Sequence, residues 1–484
     1  MKTLLPIFLL INSFLVSAQS GINWGNTEDI ASNSFSNNHP RISLAADGNP
    51  LVIWGRSSDQ SVVFSRWDGT MFTAPVQLNG SLTVASASWM GSDIASHGDT
   101  VYVVMKQTPE DDTSSHIYIV HSYNGGTTFS SPQRVDFIAD SVSRFPTVTC
   151  DATGNPIVAF MKFNNSFLDS RWVVTKSTDF GNTFSVDVKA SGWKNSAEVC
   201  DCCPGAILSQ DNYSAMLYRD NNSNIRDTWM GVSTNNSVSF DNGCNVDNNN
   251  WMLMSCPSSG PDGIIIGDTV YSVFMNGGSG KSRTYLSKSS LSAVSVNSVD
   301  NLTGTITGLT QQNFPRIASD GNAVAIVWRQ TISGNVQLPI LFTKDIADGL
   351  PVAYDTVDLV DITNADVAIA DGKVWVVWQD DNSQTVKYRS GTYSTSTTGI
   401  SQLEENNLIA YPNPVTDILS IKFKNEIPFA EISVLNVLGK VVLKKNVKNT
   451  NNTTLQVGDL ANGIYFIQIR SLEQNITKQI IINK

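Results

Sequence analysis

Apolar residues in this chain fall into short runs separated by Asp, Gly and Asn, and the clearest example extends from Arg144 to Phe184. It reads Arg144-Phe-Pro-Thr-Val-Thr-Cys150, then Asp151-Ala-Thr-Gly154-Asn155, then Pro156-Ile-Val-Ala-Phe-Met161. A third run, Trp172 to Thr175, leads into Ser177-Thr-Asp179-Phe-Gly181-Asn-Thr183-Phe184. Runs this short, bounded by turn residues, predict strands joined as hairpins rather than helices.

The hairpin recurs. Its first strand and turn appear as Arg41 to Asp47-Gly48-Asn49 and again as Arg316 to Asp320-Gly321-Asn322, with degenerate starts near Gly91, Arg144, Cys200, Gly263 and Ala365. An apolar second strand follows each start: Leu51 to Trp54, Val101 to Met105, Ile157 to Met161, Ala215 to Tyr218, Val270 to Phe274, Ala323 to Trp328 and Val374 to Trp378. Copies about fifty residues apart have the length of a four-stranded propeller blade. The seventh copy ends near Tyr393 without a fourth strand, and Ile22 to Ile30 is expected to supply it. That closes the ring and removes an exposed edge. The expectation is an all-β, seven-bladed β-propeller, or six blades if one copy is an insertion.

The turn at Ser177, Asp179, Gly181 and Phe184, and its copy at Ser122, Asn124, Gly126 and Phe129, is similar to the Asp-box of sialidase-like (BNR-repeat) β-propellers. Weaker relatives are Ser233 to Phe240 and Ser65 to Phe72. The resemblance implies a folding device. The Ser and Asp side chains bond the turn backbone, Gly takes an unusual dihedral, and the aromatic residue plugs the blade.

Both ends of the chain differ from the repeat. Met1-Lys2-Thr3, an apolar run from Leu4 to Val16 and Ser17-Ala18 read as a signal peptide over residues 1–18. The propeller is assigned to residues 19–393, a Ser/Thr-rich and then acidic linker to 394–407, and a separate β-sandwich to 408–484. That last segment carries Tyr411-Pro412-Asn413-Pro414, Gly439-Lys440, Asn462-Gly463-Ile464-Tyr465 and a basic end at Lys484. It closely resembles the type IX secretion (Por) C-terminal sorting domain of Bacteroidetes. The resemblance implies engagement with the secretion machinery, then release or attachment at the outer-membrane cell surface.

Composition narrows the partners. The formal net charge is −11, and charged residues are only 15% of 484. This argues against nucleic-acid binding. No apolar run after the first twenty residues is long enough to span a membrane. No cofactor is expected. The expected function is binding or processing of an extracellular anionic glycan, and the alternative is a non-catalytic protein-binding or adhesion module at the cell surface; the partner is then a glycan or a surface protein.

Repeat phase separates two faces. The turns between strands one and two share a face with the Asp-box turns; strand-one starts and strand-two ends lie on the other. In sialidase-like propellers the active site lies on that other face. It carries His39, Arg41, Arg144, Glu198, Asp201 and Arg316 at strand-one starts, and Arg56, Lys106, Lys162, Arg219, Asp220, Arg329 and Asp380 at strand-two ends. Eight of these thirteen are Arg or Lys. Either they are solvated strand ends or, with Arg226, they converge on a carboxylate or sulfate. The ligand-binding candidates are Arg41, Arg144, Arg219, Arg226, Arg316 and Arg329. The sialidase resemblance implies three arginines on a carboxylate, a Tyr nucleophile with a Glu partner and an Asp acid/base. Arg41 resembles the first arginine's setting, with Arg219 and Arg329 as possible companions. Tyr218 or Tyr388 is the candidate nucleophile; Glu198 or Asp201 is the candidate acid, and Asp220 lies beside them. No spacing fixes these roles.

Blade four is the least repeat-like, with Glu198-Val199-Cys200-Asp201-Cys202-Cys203 at its start. All six cysteines, Cys150, Cys200, Cys202, Cys203, Cys244 and Cys256, fall in this region. In an exported protein most or all of them are expected to be disulfide-bonded. Open pairings are Cys150 with the Cys200 to Cys203 group, Cys244 with Cys256, and Cys202 with Cys203. The alternative is a soft-metal site near Met252 and Met254.

Overall fold

The computed structural model describes residues 21–31, 35–138, 141–193, 198–394, 408–437, 439–471 and 475–484. The expected signal peptide and all but Ser394 of the expected linker lie outside the described residues. The chain divides into two compact units between Ser394 and Thr395.

Among the described residues, the first unit holds seven antiparallel four-stranded sheets. Blade 1 is built from Asn37–Leu44, Pro50–Arg56, Ser61–Arg66 and Val76–Gln77. Blades 2 to 6 repeat the plan, beginning with Asp93–His97, Ser141–Cys150, Ala206–Gln210, Asp262–Ile266 and Leu309–Asp320. Blade 7 takes Ile362–Ala370, Lys373–Asp380 and Thr385–Tyr393, and its outer strand is the N-terminal Ile22–Ala31. The pairing Ile22↔Tyr393 and Glu28↔Tyr388 closes the ring as the missing fourth strand required. Each innermost strand packs against the next, and Ile362–Ala370 packs against Asn37–Leu44. The protein is a seven-bladed β-propeller.

Second strands read as continuous apolar runs because neighbouring blades cover both their faces. Pro50–Arg56 is buried at every residue but the last. Core clusters accordingly join neighbouring blades, as where Ile53 and Phe64 of blade 1 meet Val103 and Val120 of blade 2.

The Ser-x-Asp-type turns lock the outer hairpins. Ser122 Oγ accepts from Gly126 N at 3.0 Å, and Asn124 Oδ1 accepts from Thr128 N at 2.9 Å. In blade 3, Ser177 Oγ accepts from Gly181 N at 2.8 Å and Asp179 Oδ1 from Thr183 N at 2.8 Å. Gly126 has φ of +77°, and a Cβ there would sit 2.4 Å from Phe64 Cζ. Both the dihedral and the close approach require glycine. Phe129 completes the plug, edge-on to Phe64 at 4.8 Å.

In the second unit, the apolar runs Leu419 to Phe423 and Ile432 to Leu435 are two halves of one strand, Ile418–Asn436. A register shift between Lys422 and Ile427 bends this strand. Its first half pairs with Leu408–Tyr411 and its second with Gly463–Ser471, while Val441–Gln456 follows both. One long strand thereby joins both halves of a single five-stranded sheet around a core of Leu419, Ile421, Val434, Ile467 and Ile480. The recurrent polar residues tie the end of the chain. Asn413 Oδ1 accepts from Ile481 N at 2.7 Å, and Asn462 Oδ1 accepts from Lys484 N at 3.1 Å.

Candidate functional site

Strand-one starts converge on the propeller axis. By register, Arg41, Asp93, Thr147, Ala206, Asp262, Arg316 and Asp366 are equivalent. Each pairs with the residue just before a fully buried large side chain of strand two, from Trp54 in blade 1 to Trp378 in blade 7. In blades 1, 3 and 6 a bulge precedes this position. His39, Phe145 and Phe314, each followed by Pro, take φ of 51° there. Their rings fill the mouth of the axial channel with Trp89 and Pro261.

Carboxylates bind this ring together. Asp93 Oδ2 accepts from Val148 N at 3.0 Å, Asp262 Oδ2 from Ile317 N at 3.0 Å, and Asp366 Oδ2 from Ile42 N at 3.1 Å. Each aspartate therefore fastens its own blade to the innermost strand of the next one. These three residues were not among the sequence candidates. Their signal was an acidic residue at the repeat position where other copies carry arginine.

Arg316 Nε lies 3.0 Å from Asp366 Oδ1 and 3.4 Å from Asp262 Oδ2. Burial opposes its charge, but Asp262 and Asp366 outweigh that and hold its pKa above the ordinary value. Arg41 is buried and donates through Nη1 to its neighbour's Pro40 carbonyl at 2.7 Å. Burial, then Arg316, brings it down to about 10 against the pull of Asp366, Asp93 and Asp262. His39 is held neutral, its pKa lowered by burial and then by Arg41 and Arg316. The cavity left at the axis is about 50 Å³, room for about three waters.

The other sequence candidates are positioned differently. Arg219 is wholly buried. It donates to the carbonyls of Ser259 (3.2 Å), Arg226 (2.6 Å) and Met275 (2.7 Å), which tie it into the fold. Arg144 is not equivalent to Arg41 and Arg316; it aligns with Asn38 and Asn313 before the shared bulge, and Thr147 is the equivalent residue. Arg144 pairs with Glu110, donates to the Asp201 carbonyl at 3.3 Å and lies over the Phe145 ring. Arg226 donates to the Leu253 carbonyl at 3.3 Å, and Arg329 to the Ile362 carbonyl at 2.6 Å. Of the six arginines, Arg41 and Arg316 are brought together at the axial pocket.

Among the described residues that line this pocket, none is a candidate nucleophile or acid named from the sequence. Tyr218 is fully buried, its hydroxyl accepts from Gly192 N at 3.2 Å, and burial raises its pKa far above the ordinary value. Tyr388 does bond a glutamate, Glu28, at 2.7 Å, but on the outer strands of blade 7 beside Trp67 and Phe72. Burial and Glu28 raise its pKa, the wrong direction for a nucleophile. Glu198 accepts from Asp169 N at 2.9 Å, Asp201 is exposed, and Asp220 is buried.

The cysteine pairing also departs from expectation. Cys202 bonds Cys256, a pair bridging 54 residues, in place of the Cys244–Cys256 and Cys202–Cys203 possibilities. Cys150, Cys200 and Cys203 are thiols, so the expectation that most or all six are bonded does not hold. Spacing could not anticipate which connector folds back onto the blade start. The Cys200, Cys202 and Cys203 sulfurs cluster within reach of one soft ion, but Cys202 is engaged in the disulfide.

Comparison with family models matches residues 409–483 to the secretion system C-terminal sorting domain. Comparison with curated proteins finds no match. Among solved structures, a protein of unknown function from Dyadobacter fermentans is similar at 11% identity and TM-score 0.44, covering 77% of this chain and 100% of its own. An α-L-arabinofuranosidase from Fusarium graminearum is similar at 12% identity and TM-score 0.43, covering 68% and 99%. Trypanosoma rangeli sialidase is similar at 11% identity and TM-score 0.43, covering 92% and 84%. At such identities these likenesses carry nothing about activity. Among the described residues no helix is long and apolar enough to cross a membrane. The C-terminal unit is a type IX secretion sorting domain, and the chain is cargo of that system, delivered outside the cell or to its outer surface.

Proposed function

We propose that this exported propeller is a binding protein that holds a protein surface against its pocket face without chemical turnover. One observation carries the reading: on that face most of the strand-end basic groups are held by partners in the fold, while several large apolar side chains are exposed. Arg56, Arg144, Lys162 and Arg316 are paired with Asp59, Glu110, Asp187 and the axial aspartates, while Arg219 and Arg329 bind carbonyls. Phe137, Phe167, Leu168, Met252 and Met254 are 70%, 52%, 58%, 70% and 87% exposed. All five lie in segments that join strands two and three or lead into strand one, which strand order puts on the pocket face. Exposed Phe and Met in loops at one end of a rigid scaffold suit a protein partner. The export route puts that partner outside the cell.

Trp89, Phe145 and Phe314 at the pocket favour a second reading, stacking of a terminal sugar. The small cavity and the engaged arginines weigh against it. The test is binding of the exported protein to intact cells and their isolated surface proteins. The double change Phe167→Ser and Leu168→Ser should weaken binding roughly tenfold or more, and Val238→Ser, on the opposite face, should not. Equal loss from both, at matched folding, would overturn the assignment of the face.

A further inference from the structure

The Cys200 Sγ lies 3.4 Å from the Cys202 Sγ and 3.3 Å from the Cys203 Sγ, while Cys202 is bonded to Cys256. Four sulfurs thus form one contact chain in the order Cys256, Cys202, Cys200, Cys203. It runs from surface to interior: Cys256 is exposed and Cys202 half-buried, whereas Cys200 and Cys203 are 0% and 1% exposed. Residues 200–203 make a turn closed by a hydrogen bond from Cys203 N to the Cys200 carbonyl at 3.4 Å. A turn of this kind holds its first and fourth Cα atoms within about 7 Å, which overlaps the roughly 4.4–6.8 Å range of disulfides. A Cys200–Cys203 bond is therefore open to this backbone.

We propose that Cys200, Cys202, Cys203 and Cys256 form a thiol–disulfide exchange centre in which the bond moves between Cys202–Cys256 and Cys200–Cys203. In the first step the Cys200 thiolate attacks the Cys202 Sγ. The bond to Cys256 breaks, and its electron pair leaves on the exposed Cys256 sulfur, where solvent supplies a proton. In the second step Cys203, having lost its proton, attacks the Cys200 Sγ and expels the Cys202 thiolate. Two S–S bonds form and two break, so the rearrangement needs no external oxidant or reductant. Cys200 is suited to begin it. The hydrogen bond from Cys203, with Arg219 and Arg226 nearby, brings its thiol down to about 6 against the effect of burial.

The exchange has a structural and a chemical consequence. Cys202–Cys256 ties the connector between blades 4 and 5 to the start of blade 4, and this connector carries Trp251, which lies over Arg219, and Gly260 and Pro261 of the axial pocket. Moving the bond inward removes the tie. It also leaves a dithiol at the surface, whose substrate class is the disulfide of an extracellular protein or small molecule. The Cys256 thiolate would attack that disulfide and release one half as a thiol. Cys202 would then displace the other half, restoring Cys202–Cys256.

The experiment equilibrates the exported full chain with graded ratios of reduced and oxidised glutathione. Acid quenching, alkylation and mass-spectrometric mapping follow. The informative species has just two of these four cysteines alkylated. Both Cys202–Cys256 and Cys200–Cys203 pairings are expected in it, at comparable abundance. Cys200→Ser should leave Cys202–Cys256 alone, and Cys203→Ser should halt the exchange at Cys200–Cys202. A two-thiol species of the natural chain holding a single pairing at every ratio would overturn the proposal.

Discussion

Arg316 Nε lies 3.0 Å from Asp366 Oδ1, across the junction of blades 6 and 7. This pair, with Asp262 on the other side, sets the character of the axial site: its cationic group is already held by the fold. Arg316→Ala leaves two largely buried carboxylates without their counter-charge. A stability loss of about 2–4 kcal/mol is expected, toward the low end for a buried pair because Arg316 keeps 22% of its side chain exposed. Denaturant unfolding checks this. A change under 1 kcal/mol would mean the bridge is a surface ornament and the arginine is available to ligands.

Gly126→Ala should lower stability by about 2–4 kcal/mol, since it adds left-handed strain to a clash with Phe64. Gly321→Ala is the control, because φ there is +56° but nothing lies within 4 Å of the added Cβ. Strain alone, about 1–2 kcal/mol, is expected there. Unfolding midpoints of the two variants measure the difference, and equal losses would contradict the plug role of the Gly126 turn.

Asp247 supplies a pH test. It is buried and accepts from Asn276 Nδ2 at 2.7 Å. Burial, then Asp227, pushes it up to about 6 from an ordinary 3.8. The folded state therefore binds this proton more tightly than the unfolded chain. The resulting stability is fully present below about pH 4 and is lost as pH rises through about 6. Urea midpoints between those values should fall less steeply with pH for Asp247→Asn than for the natural chain. Parallel curves would show that Asp247 does not titrate in this window.

Removing residues 408–484 should leave the propeller folded and abolish its export, because the sorting match spans 409–483 and the two units divide at Ser394. Cell fractionation with circular dichroism of the truncated chain checks both parts. Normal appearance of the truncated chain outside the cell would refute it.

The architecture was legible because it repeats. Seven copies of one hairpin gave seven blades, and the copy that ended at Tyr393 without a fourth strand pointed to Ile22 to Ile30. The sorting domain was legible from spaced motifs, whose Asn413 binds the last strand's backbone at Ile481 and whose Asn462 binds the backbone of Lys484. The site was less legible. An arginine at a strand end, such as Arg219, reads the same whether it faces water or three carbonyls. Arg144 lies three residues before the position of Arg316, because Arg144-Phe-Pro-Thr147 aligns with Asn313-Phe-Pro-Arg316 and the same bulge follows both Arg144 and Asn313. Cys202 and Cys256 meet because a connector folds back, a contact that periodicity does not encode.

The central claim is that the axial arginines belong to the fold and that the pocket face does not take an acidic sugar. The most direct measurement is calorimetric titration of the exported protein with free sialic acid and with a uronic acid, alongside a hydrolysis assay on their glycosides. The account predicts no saturable heat and no turnover. Saturable one-to-one binding that is lost in a folded Arg41→Lys variant would contradict it.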